Sequence, residues 1–136
     1  VPKNLDDGTP FPTMYWLTCP MYVKKVSTLE SNGMVKNLDK QLVDNKKLNK
    51  LWRKRQKSYE NERNKKYKSL SNTISPMGGV GGTTKSIKCL HSHLADELVS
   101  GKNVIGNVVL ESVGGCNCNE PCIINGSKND KWRIEW

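Results

Sequence analysis

Long apolar runs are missing from this sequence. No stretch approaches the roughly 18 apolar residues that a membrane-spanning helix needs, so no helical span and no membrane partner are expected. No charged-then-apolar leader opens the sequence either. Aromatic residues are scarce at 7%, with a single phenylalanine, and hydrophobic residues reach only 35% against 26% charged. In 136 residues that balance favours one domain with a modest core and a large surface. Cysteine is not scarce, but its count is wrong for a disulfide framework: Cys19, Cys89, Cys116, Cys118 and Cys122 are five, and bridges consume pairs. A bridge across the one residue between Cys116 and Cys118 would also be strained. Free or metal-bound thiols in a reducing compartment are the better reading, which makes the cytoplasm the expected location.

Acidic residues are outnumbered 13 to 22 by lysine and arginine, giving a net charge of +9. That excess is local. Between Lys46 and Lys68 stand eleven basic residues against Glu60 and Glu62, so this segment carries the whole +9.

The order of elements follows from punctuation and periodicity. Residues 1–17 hold prolines, a glycine and aspartates and read as an irregular arm. A helix is expected from Thr18-Cys19-Pro20 to about Asn32, with proline in its first turn, and a second from about Met34 to Val43. Asp44-Asn45 then caps a long third helix, Lys46 to about Leu70. Its apolar positions are sparse and interrupted by Arg55 and Arg63, so it is expected to be half exposed. Residues 71–84 form a serine-, proline- and glycine-rich loop. A fourth helix is expected from Lys85, with Ile87, Leu90, His91, Leu94, Leu98 and Val99 as its apolar face, ending at Gly101. Val104–Val113 reads as a further helix in preference to a strand. The fold class is mainly α: a helical core over 18–113, with an irregular arm before it and a cysteine-rich arm, 114–136, after it.

Chemistry concentrates in Gly78–His93, GGVGGTTKSIKCLHSH, which combines a glycine-rich backbone, a thiol and both histidines. Gly79–Ser86 approaches a phosphate loop, but Thr84 replaces the second glycine and no strand precedes it; weak anion docking at the helix N-terminus is more credible. Near that N-terminus the Cys89 thiolate gains from the helix dipole and from Lys85 and Lys88, which suits a ligand or a nucleophile. On a helix, residues two apart point roughly 200° apart, so Cys89 and His91 can share a metal only if the helix begins late. Cys89 and His93, four apart, would lie on one face. His91 sits on the apolar stripe, where a hydrogen-bonded core role competes with ligation.

Cys116, Cys118 and Cys122 place three thiols in a loop of glycine, asparagine and proline, a pattern suited to zinc or an iron–sulfur cluster. They cannot readily close a tetrahedral site alone, so Cys19 or the Cys89 region would supply the rest. Two other readings stand beside this one. The basic helix, with Lys50, Arg53, Lys54, Arg55 and Lys57 and with Trp52, Tyr59 and Tyr67 interleaved, could follow a nucleic-acid backbone. Alternatively, Cys89 is the nucleophile of a thiol enzyme, with His91 or His93 as base, Asp96 as a possible orienter and the glycine loop donating to an oxyanion.

Two blocks carry a resemblance. Gly8–Pro20, GTPFPTMYWLTCP, continuing into Val26-Ser27-Thr28-Leu29-Glu30, is the first. Gly78-Gly79 with Lys88-Cys89-Leu90-His91, then Asn103 and Gly106, is the second. Together they resemble a bacterial family known as domain of unknown function 501, over roughly Gly8 to Val109. The resemblance brings no established activity. It implies that Cys19, Cys89 and His91 belong to a shared pattern, with histidine an alternative at the position of Cys19, an exchange that a metal ligand tolerates. Members usually carry an Arg-Cys-Pro segment upstream; here it is trimmed away or its ligand is replaced by Cys116, Cys118 or Cys122. The expected function is therefore metal or iron–sulfur binding through Cys19, Cys89, His91, Cys116, Cys118 and Cys122, with His93 a further candidate.

Overall fold

A computed structural model describes residues 4–67 and 76–132. Helix α1 spans Pro20–Ser31, α2 Met34–Asp44, α3 Lys46–Tyr67, α4 Leu90–Ser100 and α5 Val104–Val113. A two-stranded antiparallel hairpin, β1 Ile123–Ile124 and β2 Ser127–Lys128, follows. The architecture is mainly α. The end of the third helix beyond Tyr67 and the first part of loop 71–84 lie outside the described residues. No helix among the described residues is long and apolar enough to cross a membrane.

Each boundary has a local cause. Pro20 opens α1 with its fixed φ, and Gly33, at φ 83°, turns the chain into α2. Asn45 Oδ1 accepts from Leu48 N at 3.0 Å and so caps α3. Asn103 does the same for α5, accepting from Gly106 N at 2.9 Å. Val26, Leu38, Trp52, Leu90, Leu94 and Val109 meet in the main core, where all five helices contribute. Helices α4 and α5 pack closest: a Cβ added at Gly106 would run into the His93 carbonyl.

Four expectations need correction. The fourth helix begins at Leu90, not Lys85, because Ile87 is buried and its amide is tied to Asp39 Oδ1 at 2.8 Å, which holds the chain extended. Its inward residues include His93 and Asp96, while Leu98 and Val99 are 48% and 60% exposed; the apolar stripe is shorter and rotated from the one the periodicity suggests. On α3 both arginines that interrupt the stripe are inside. Arg55 ion-pairs with Asp96 at 2.7 Å and Glu62 at 2.9 Å. Arg63 donates to the Pro12 and Pro76 carbonyls at 3.0 and 2.5 Å. Finally, the C-terminal arm is not wholly irregular: Asn125 and Gly126, both at positive φ, form the turn of the hairpin.

Candidate metal centre

The centre lies where the C-terminal end of α1 meets the start of α4. Just before α4, Lys88 adopts φ 63°, and the Cys89 amide closes back onto the Ile87 carbonyl at 2.7 Å in a tight γ-turn. This turn makes Cys89 the extended N-cap residue instead of a helical one, so the 200° separation from His91 does not apply. Their side chains converge, with Cys89 Sγ 3.9 Å from His91 Nδ1.

Glu30, the single carboxylate of α1, reaches across from the other helix. Its Oε1 accepts from the Leu90 amide at 2.7 Å, serving as a side-chain cap for α4, and lies 3.3 Å from His91 Nδ1. Glu30, Cys89 and His91 are half-buried, and one ligand atom from each falls within 4.8 Å of the others. A tetrahedral zinc ion, with bonds of about 2.0–2.3 Å, sets its nitrogen and oxygen ligands roughly 3.3 Å apart and its nitrogen and sulfur ligands roughly 3.6 Å apart. The first separation is met and the second needs a small rotation of the thiol.

The far side of the imidazole fixes its orientation. His91 Nε2 lies 3.2 Å from the Val23 carbonyl and 3.2 Å from Ser27 Oγ, whose own hydroxyl donates to that carbonyl at 2.8 Å. Both neighbours of Nε2 are therefore acceptors. In the neutral ring this places the proton on Nε2 and leaves the Nδ1 lone pair facing a carboxylate and a sulfur. Three electron-rich atoms then surround one point, which only a proton or a cation can hold together.

The other expected ligands lie elsewhere. Cys19 caps the opposite end of α1 from Glu30, about 16 Å of helical rise away. Cys116 and Cys118 adjoin one another, Sγ to Sγ 3.4 Å, and Cys122 stands at the foot of the hairpin, its carbonyl accepting from Asn129. Among the described residues none of these four joins the cluster. His93 is fully buried and turned away, with Nδ1 against the Asn103 amide at 3.0–3.1 Å. Burial lowers its pKa. Asn103 in turn donates to Asp96, which grips Arg55, so His93 ends a buried polar chain crossing α5, α4 and α3. Burial pulls Arg55 down, but its hydrogen bonds to Asp96 and Glu62 outweigh that and hold its pKa above the ordinary value. Asp96 is thus committed to Arg55 and Asn103 rather than to orienting a catalytic histidine.

The glycine segment is a packing device. Gly79 presses against Gln56, leaving no room for a Cβ. Gln56 accepts from the Val80 amide at 3.0 Å and donates to the Thr83 carbonyl at 3.0 Å, pinning the short 3-10 turn Val80–Gly82 to α3. The amides of Gly79, Val80 and Gly82 are spent within this arrangement. Of the basic-helix candidates, Lys50, Arg53, Lys54 and Lys57 are exposed and Arg55 is buried; Trp52, Tyr59 and Tyr67 face inward, leaving no aromatic platform from them on the basic surface.

Glu30 is the member of the cluster that the sequence reading does not name as a candidate ligand. Its only signal was its presence in the first of the two resembling blocks, since nothing in linear spacing links it to residues 60 positions away. No curated protein and no solved structure matches the chain. The family described as protein of unknown function (DUF501) matches residues 1–111, a span that holds all three clustered residues, and the chain belongs to that family.

Proposed function

We propose that this protein binds a single divalent metal ion of the zinc class through Glu30 Oε, Cys89 Sγ and His91 Nδ1, with solvent completing the shell. The observation that carries the reading is the facing of His91 Nδ1 toward Glu30 at 3.3 Å and Cys89 at 3.9 Å while Nε2 is committed to acceptors. The Val23 carbonyl and Ser27 are the kind of outer partners that orient a metal-bound imidazole. One thiolate among three donors suits a mononuclear ion better than an iron–sulfur cluster, which draws mostly on cysteine. The strained Lys88 turn supports the same reading, because it costs free energy and its result is to deliver Cys89 to the cluster.

The test is titration of the full chain with cobalt(II), followed by displacement with zinc. One equivalent should bind with a sulfur-to-cobalt charge-transfer band, and Glu30→Gln and His91→Asn should each weaken binding by at least about tenfold. Binding that survives both substitutions but is lost on replacing Cys116 and Cys118 would move the site to the C-terminal arm. No binding at all would leave Glu30 and His91 as a plain ion pair and end the proposal. The thiol-nucleophile reading uses the same sulfur and separates cleanly: zinc should protect Cys89 from iodoacetamide, whereas a free nucleophile should be the fastest-reacting of the five cysteines with or without zinc.

The exposed basic face of α3 favours a second reading, nucleic-acid backbone binding. Lys46, Lys50, Arg53, Lys54, Lys57 and Lys65 all face solvent. Charge reversal at Arg53, Lys54 and Lys57 should abolish retention on a nucleic-acid column at low salt. If the wild type is not retained, the reading fails.

A further inference from the structure

A second sulfur centre lies outside the matched family span and independent of the metal reading. Lys25 Nζ donates to the Val113 carbonyl at 2.9 Å, anchoring the end of α5 against α1. From there Gly114 and Gly115 lead directly to Cys116. Cys116 is exposed, Cys118 half-buried, and their sulfurs stand 3.4 Å apart as free thiols. Burial first, then the charges of the Cys116, Cys19 and Cys118 sulfurs, raise the phenol pKa of Tyr22.

From this geometry we infer that Cys116 and Cys118 form a reversible dithiol–disulfide pair that exchanges electrons with low-molecular-weight disulfides of the glutathione class. The separation of 3.4 Å is shorter than the roughly 3.8 Å between two thiolates on one tetrahedral zinc and closes to a bond of about 2.05 Å by side-chain rotation and a small backbone shift. In the forward step the Cys116 thiolate attacks one sulfur of the small disulfide, and the other sulfur leaves as a thiolate that takes a proton from solvent. Cys118 then loses its proton and attacks the Cys116 sulfur of the mixed disulfide, releasing the second small thiol. The protein loses two protons and two electrons, which together reduce the small disulfide to two thiols. A ring closed across only one intervening residue is strained, and strained or exposed disulfides are the readily reduced ones. The pair therefore runs both ways instead of locking the arm.

The test equilibrates the full chain, with a chelator present, in graded mixtures of reduced and oxidised glutathione, then quenches in acid and measures intact mass after alkylation. Oxidised protein should have lost two hydrogens and carry no adduct, and excess reduced glutathione should restore it with an unchanged circular dichroism spectrum. Cys19→Ser and Cys122→Ser should keep this behaviour. Cys116→Ser and Cys118→Ser should reduce the internally oxidised fraction by at least about tenfold. Persistence of internal oxidation in Cys118→Ser would assign the pairing to another cysteine and overturn the inference. Accumulation of a stable glutathione adduct on the wild type in place of the internal disulfide would do so as well.

Discussion

Lys88 and Tyr59 show what single residues contribute here. Left-handed backbone at a residue with a side chain costs on the order of 1 kcal/mol, and at Lys88 that cost sets Cys89 outside the helix so that its thiol meets His91. Tyr59 has the opposite character, a buried group serving stability. Its hydroxyl accepts from the Met14 amide at 2.6 Å, and burial pushes its pKa up to about 12 from an ordinary 10.0. Between those values the unfolded chain has released the phenolic proton while the folded chain keeps it. Stability should therefore be unaffected by Tyr59 below pH 10 and fall by about 2–3 kcal/mol as the pH rises to 12. Urea unfolding across that range checks the slope, and Tyr59→Phe should flatten it while losing the Met14 bond at every pH. An equal alkaline slope in the variant would assign the effect to other groups.

Among elements, the α4–α5 pair is the most closely packed. Gly106 lets the two helices approach until the His93 carbonyl occupies the space a methyl group would need. Gly106→Ala should destabilise the fold by about 1–3 kcal/mol despite the higher helix propensity of alanine, because backbone rather than a flexible side chain stands in the way. The shift in urea midpoint measures it; a neutral or stabilising result would mean that the helices separate at little cost. Helix α3 shows why an amphipathic reading of sequence can fail. Its inward face is Trp52, Arg55, Gln56, Tyr59, Arg63 and Tyr67, half of it polar, and each polar member is satisfied at least in part by a partner on another segment. A periodicity that counts only apolar residues sees a weak stripe where the folded helix has a full one.

At the scale of the molecule, the proposed metal would join two elements that are distant in sequence, Glu30 at the end of α1 and Cys89–His91 at the start of α4. Binding to the folded state alone then stabilises the whole cooperative unit. At a free zinc concentration about 100 times the dissociation constant the gain is about 2.7 kcal/mol, which for a chain of this size raises the melting temperature by roughly 8–15 °C. Differential scanning calorimetry with and without zinc measures it. Glu30→Gln should remove most of the increase while Cys122→Ser leaves it intact. An increase that is the same in Glu30→Gln would place the stabilising ion elsewhere.

The sequence by itself determined the helical class and the positions of Pro20, Gly33, Asn45 and Gly101 at helix ends. These are local matters: capping, fixed φ and positive φ act within one turn of the chain. It also contains the hairpin, since Asn125-Gly126 is a local turn signal. Tertiary structure alone decided which side chains meet. Where α4 begins depends on Asp39 and Glu30 holding the amides of Ile87 and Leu90 from other helices. Whether Arg55 faces solvent or the interior depends on Asp96, 41 positions away. Cys19 and Glu30 share a helix but stand at its two ends, so the rigid rise of α1 divides the cysteines into two groups that composition had joined into one.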